Sequence, residues 1–209
     1  MRQVMKIVIA ATAAATLTLT ACSSGGAATP SASGSASSEA PKIKVGMAYD
    51  VGGRGDQSFN DSAAAGLDKA AAEFGVDTKE AAATNGEAES AREERLNQLI
   101  DAGYNNIVAV GFAYAGAVGK VAKENPDAKF AIVDDASEAS TGANIMNITF
   151  AENEGSFLVG AAAALKSESG HIGFVGGVET DLIKKFEAGY VAGAKAAKST
   201  IKIDSKYLT

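Results

Sequence analysis

The sequence predicts an α/β protein built on a parallel sheet, and two observations lead there. From Lys42 onward, short β-prone runs alternate with longer Ala-rich segments whose apolar residues recur at helical spacing, the pattern of strands joined by crossover helices. The first run is also followed by a loop too rich in glycine to continue a strand, Asp50-Val51-Gly52-Gly53-Arg54-Gly55, and then by a helical segment.

In chain order, Ile43 to Tyr49 reads as a buried first strand. Ser58 and Asp61 stand at capping-box spacing, with Asp in place of the usual Glu or Gln, and Ala63, Leu67, Ala70, Ala71 and Phe74 form the apolar face of the helix that follows,. A second helix is expected over Ala88 to Ala102, with Leu96, Leu99 and Ile100 as its apolar stripe, Arg92, Glu93 and Arg95 on the solvated face and Gly103 as a stop,. Strands at Ile107 to Val110 and Phe130 to Val133 flank a small helix near Ala115 to Lys123, and Asn144 to Phe150 reads as one more strand, which completes a first lobe over residues 42–150.

Residues 151–209 begin a second α/β unit: helix Glu152 to Lys166, strand His171 to Val175, helix Leu182 to Lys198, and the start of a strand at Ile201 to Ile203. A sheet of so few strands cannot have both faces covered, so the second lobe is expected to be truncated at its C-terminal side.

The N-terminal end has a different logic. Arg2 and Lys6 precede an apolar run from Ile7 to Leu19, shorter than the ~20 residues that span a bilayer, which is the order of a secretory signal. Leu19-Thr20-Ala21-Cys22 resembles a lipobox, so residues 1–21 are expected to be a lipoprotein signal peptide and Cys22 the lipidated residue that holds the chain on the extracytoplasmic face of the cell membrane. Residues 22–41, mostly Ser, Gly, Ala, Thr and Pro, cannot bury enough apolar surface to offset the entropy of ordering them, and read as a tether. Cys22 is the only cysteine, leaving no thiol for a disulfide, a metal site or a nucleophile. A net charge of -6 and a pI near 4.9 argue against a nucleic-acid partner, because phosphate contacts need clustered Lys and Arg.

In open α/β sheets ligands bind beyond the carboxyl ends of the strands. The loop after the first strand offers Asp50, three glycines, Asp56, Ser58, Phe59 and Asn60, a close backbone approach combined with acceptors, an amide and an aromatic face. Phe59 has two readings, a platform for a planar ligand or a hydrophobic staple, while Asp50 and Asn60 also suit turns and caps. Gly53, Gly55 and Ser58 approach a dinucleotide fingerprint, with Glu80 near the place of a ribose acceptor, but the third glycine is missing. Arg54-Gly55-Asp56 spells an integrin-recognition tripeptide, a match frequent by chance. Asp134 and Asp135 close a strand and could reach the same cleft, without the spaced acidic loop of a cation site,. His171, the only histidine, opens an apolar strand, and no nucleophile, base and orienter can be assembled around it. No metal, cofactor or catalytic group is therefore expected, and the chain reads as a binding protein.

Four ordered segments carry a resemblance: Asp50-Val51-Gly52-Gly53 with Asp56-Gln57-Ser58-Phe59-Asn60; Phe130-Ala131-Ile132-Val133-Asp134; Phe150-Ala151-Glu152-Asn153-Glu154-Gly155-Ser156-Phe157; and Ile172-Gly173-Phe174-Val175-Gly176-Gly177 running on to Lys185-Phe186-Glu187-Ala188-Gly189-Tyr190. From about Lys42 to the end the chain is similar to the basic-membrane-protein, or PnrA-like, lipoproteins that serve as substrate-binding proteins of ABC transporters. The resemblance implies a periplasmic-binding-protein-like (type I) architecture of two α/β lobes that close on a ligand and are read by a permease with its ATPase. It implies a purine nucleoside sandwiched between Phe59 and Phe186, with Asp50, Asn60 and Asp134 on its polar groups. Within the same fold a sugar is the rival ligand, and a nucleotide-dependent enzyme of Rossmann type the more distant one. The family's later second-lobe strands and ribose-contacting residues are absent from this sequence.

Overall fold

The structure, a computed structural model, describes residues 42–208. The expected signal segment, Cys22 and the tether lie outside the described residues.

Five parallel strands form the main sheet: β1 (Lys44–Tyr49), β2 (Asp77–Ala82), β3 (Asn106–Val110), β4 (Lys129–Val133) and β5 (Ile145–Ile148), in the order β2-β1-β3-β4-β5. Three helices cross between them: α1 (Phe59–Phe74), α2 (Glu89–Asp101) and α3 (Ala115–Glu124). Alternate residues of β1 and β3 feed two cores. Met47, Tyr49 and Val110 pack with Ala64 and Leu67 of α1. Ala48, Ile107 and Ala109 pack on the opposite face with Leu96 and Leu99 of α2 and Val118 and Val121 of α3. This two-sided burial is what makes the β1 and β3 segments read as continuous apolar runs.

Strand β2 was not apparent from the sequence. Its residues, Asp-Thr-Lys-Glu-Ala-Ala, carry no apolar run, because it is the sheet edge beside β1 alone, where charged side chains also discourage edge-to-edge pairing. Strand β5 is shorter than expected, ending at Ile148, with Thr149 to Ala151 leading into α4 (Glu152–Lys166).

The expected capping box at the start of α1 is corrected. Ser58 makes no side-chain cap. The Asp56 carboxylate instead accepts from the backbone N–H groups of Ser58, Asn60 and Asp61 at 2.9 to 3.0 Å, and Asp61 turns back to accept from those of Gly55 and Gln57. An Asx arrangement two residues upstream thus satisfies the helix donors.

After α4, β6 (His171–Gly176), α5 (Asp181–Ala197) and β7 (Lys202–Tyr207) follow, and β6 and β7 pair in parallel as a second, two-stranded sheet. Helices α4 and α5 touch backbone to backbone. A Cβ on Gly160, Gly189 or Gly193 would overlap the carbonyl oxygens of Tyr190, Asn153 and Phe157 respectively. His171 is exposed and lies 2.9 Å from Asp204, an edge residue of a small sheet. Among the described residues no helix is long and apolar enough to cross a membrane.

Candidate ligand-binding cleft

The order of the main sheet reverses between β1 and β3: the chain leaves β1 toward β2, then returns past β1 to β3. The loops after these strands therefore diverge and leave a crevice at their carboxyl ends, where ligands of open α/β sheets bind. Gly111, just after β3, adopts φ +97°, and a Cβ there would stand 2.9 Å from Oδ2 of Asp50. The loop after β3 thus requires glycine in order to pass beside the Asp50 carboxylate.

Three of the five predicted site residues line one cleft. Phe59, Asp134 and Phe186 share a cavity of about 530 Å³ with Phe150, Glu152 and Val159. Phe59, the first residue of α1, is 47% exposed and meets the Phe150 ring at a centroid distance of 5.7 Å with planes tilted by 38°. An aromatic pair half open to solvent leaves ring faces available. Asp134 stands just beyond β4 with φ +68°, a left-handed conformation that Asp tolerates better than most residues, and its N–H is tied to the Ile148 carbonyl at 2.7 Å. Its carboxyl is pushed above the usual carboxylate range, first by burial and then by the neighbouring Glu152 and Asp135 carboxylates, against the pull of Lys185.

Asp50 and Asn60 are not among the residues that line this cavity. Asn60 is 2% exposed; its Oδ1 accepts from the Asp50 N–H at 3.1 Å and its Nδ2 donates to the Asp50 and Val51 carbonyls at 3.4 and 3.3 Å. Its carboxamide is engaged in holding the loop. Asp50 accepts from the Val51 N–H at 2.8 Å at the mouth of the β1–β3 crevice. Asp135 turns away into its own bend, bonded to Ser137 and Ser140.

A second cavity of about 610 Å³ is lined by Phe112, Ser137, Thr149, Thr180 and Lys185 among others, of which Thr149 and Lys185 directly precede Phe150 and Phe186 of the first. Phe150, Glu152 and Lys185 fall in the segments that carry the resemblance but are not among the site residues expected from the sequence. The signal for Phe150 was an aromatic residue at the end of an apolar run, directly before a helix start. Lys185 opens the second stretch of the last of those segments, where only Phe186 reads as a site residue.

Residues 43–209 match the sequence profile of a family described as ABC transporter substrate-binding protein PnrA-like. The chain belongs to this Bmp family. A Bmp relative from Lactococcus lactis subsp. cremoris, the ABC transporter nucleoside-binding protein BmpA, is 38% identical over 167 residues, covering 79% of this chain and 47% of that protein. Among solved structures, an ABC transporter solute-binding protein from Aeropyrum pernix superposes with a TM-score of 0.65 at 32% identity, over 79% of this chain and 47% of its own. At the level of the fold alone, a periplasmic solute-binding protein from Actinobacillus succinogenes with bound D-allose gives a TM-score of 0.58 at 14% identity, over 79% of this chain and 59% of its own. The periplasmic-binding-protein-like α/β fold is thus established, and the chain spans about half the length of the Bmp relatives it matches.

The family is one of substrate-binding proteins, and the groups of the first loop that suggested other readings are engaged within the chain. The α1 N-terminus, where a dinucleotide pyrophosphate would sit, already holds the Asp56 carboxylate. Glu80, the expected ribose acceptor, instead accepts from Arg54 and Tyr49. In the integrin-like tripeptide, Arg54 is held by Asp68 and Glu80 and Asp56 by the helix.

Proposed function

We propose that this protein is the extracytoplasmic receptor of an ABC importer, anchored by lipid on Cys22, and that it captures purine nucleosides between two lobes, residues 42–150 and 151–209, for delivery to a permease and its ATPase. The observation that carries the ligand class is the aromatic cleft: Phe59, Phe150 and Phe186 around one cavity of about 530 Å³, large enough for a bicyclic base and its sugar. The Asp134 carboxyl at the same cavity supplies a polar group to orient it, and Asp50 lies at the crevice mouth.

The charge of the surroundings favours a neutral ligand. Asp134 and Glu152 line the cavity, Lys185 beside it faces the Glu152 carboxylate, and the N-terminus of α1 already holds the Asp56 carboxylate. A nucleoside suits this site and a nucleotide does not.

Calorimetric titration of the full chain with inosine, guanosine, adenosine, free ribose and D-allose tests the reading. Saturable nucleoside binding is expected, weakened at least about tenfold in Phe59→Ala and in Phe186→Ala, since stacking of a base on an aromatic ring contributes roughly 1–3 kcal/mol. Binding of the sugars but not the nucleosides by folded protein would overturn it. Incorporation of labelled palmitate, abolished in Cys22→Ala, checks the anchor.

A further inference from the structure

Glu152 begins α4, and its side chain is only 2% exposed. One carboxylate oxygen accepts from the Phe150 N–H at 3.2 Å. The other, Oε2, is buried without a hydrogen-bond donor. The Lys185 ammonium lies 3.9 Å from it, close enough for charge attraction and too far for a hydrogen bond.

Lys185 connects the linings of the two cavities along the chain. It lines the larger one beside Thr149 and Thr180, the next residue, Phe186, lines the aromatic one, and its charge acts on Asp134 across the cleft. Its side chain is 47% exposed. Charge attraction to Glu152 therefore holds the ammonium beside the cleft with no hydrogen bond between the two groups,.

We infer that Lys185 is a ligand-contacting residue that selects 6-oxopurine nucleosides over adenosine, and that Glu152 is the residue that positions it. The inference rests on the nucleoside reading. Guanine and hypoxanthine present two adjacent acceptors, O6 and N7, on one edge, to which a lysine can donate; adenine carries an amino donor in place of O6 and meets the ammonium with like polarity.

The test is titration of the full chain and its variants with inosine, guanosine and adenosine. The wild type binds the two 6-oxopurines about tenfold or more tightly than adenosine, as a charged hydrogen bond gained on one ligand and lost on the other requires. Lys185→Met, which keeps the apolar stem, lowers inosine and guanosine affinity to the adenosine level and leaves adenosine within about twofold. Lys185→Arg retains the preference. Glu152→Gln, whose carbonyl still accepts from the Phe150 N–H, brings inosine and guanosine affinity closer to that for adenosine, with folding checked by circular dichroism. Equal binding of all three nucleosides by the wild type, or equal weakening of all three by Lys185→Met, would overturn the inference and leave the receptor reading standing. Absence of any nucleoside binding by the folded wild type would remove both.

Discussion

Asn60 illustrates how a residue of this site acts through the backbone. Its carboxamide satisfies the Asp50 N–H and reaches the carbonyls of Asp50 and Val51 from a buried position, so it sets the course of the loop that presents Phe59. Removing it leaves buried backbone groups unpaired, each costing about 1–3 kcal/mol. Asn60→Ala is accordingly expected to lose about 2–3 kcal/mol in urea denaturation and to weaken ligand binding as well. Gly111 is the complementary case on the next loop. Gly111→Ala imposes a strained φ and presses on Asp50,; its crystal structure should show the Asp50 carboxylate displaced, and an unmoved carboxylate would refute the argument.

Among the elements, α1 and the α4–α5 pair depend on opposite devices. The first turn of α1 is held by an acid outside the helix, Asp56, which takes three backbone donors at once. Asp56→Ala should lower the melting temperature by several degrees, and Ser58→Ala by little, since Ser58 makes no side-chain cap,. Helices α4 and α5 meet through glycines. Alanine normally gains about 1 kcal/mol over glycine in a helix, yet at Gly193 the new Cβ would overlap the Phe157 carbonyl. Overpacking of this kind costs about 1–3 kcal/mol, so Gly193→Ala should destabilise the protein, whereas Gly66→Ala, with open space around it in α1, should stabilise it. Thermal denaturation of the two variants side by side distinguishes packing from propensity.

Over the molecule as a whole, the pH dependence of stability should be dominated by carboxylates paired with arginine. Glu87 is bound by Arg95 through two hydrogen bonds at 2.7 and 2.8 Å, and that pairing brings its carboxyl down from 4.5 to about 2. Between those values the unfolded chain binds the extra proton, so stability is fully present above about pH 4.5 and is lost as pH falls toward about 2,. Glu80 and Asp68, lowered by Arg54, act in the same direction. Asp134, raised by burial, acts in the opposite one. Urea titrations between about pH 6 and about pH 2.5 should show the decline, and Glu87→Gln should flatten it; a variant as acid-sensitive as the wild type would sink the assignment.

Much of this architecture was legible in the order of residues. Helix α4 falls on the segment read from sequence, and α2, α3 and α5 differ from it by a residue or two, because apolar periodicity and local caps are properties of neighbouring residues,. The parallel sheet was legible because strands buried on both faces must be apolar throughout. Strand β2 was not, since an edge strand is defined by the strand it pairs with and needs no apolar run of its own. The same division runs through the cleft. Phe59 and Phe186 stood out as types in ordered motifs. The meeting of Phe59 with Phe150 across a sequence separation of about ninety residues, the engagement of Asn60 with backbone, and the sealed Glu152 beside Lys185 came only with the fold. Composition and short-range spacing dictate which elements form and where the chain turns. Which side chains face one another across a crevice depends on strand order and helix packing, and these are decided by contacts between residues distant in sequence.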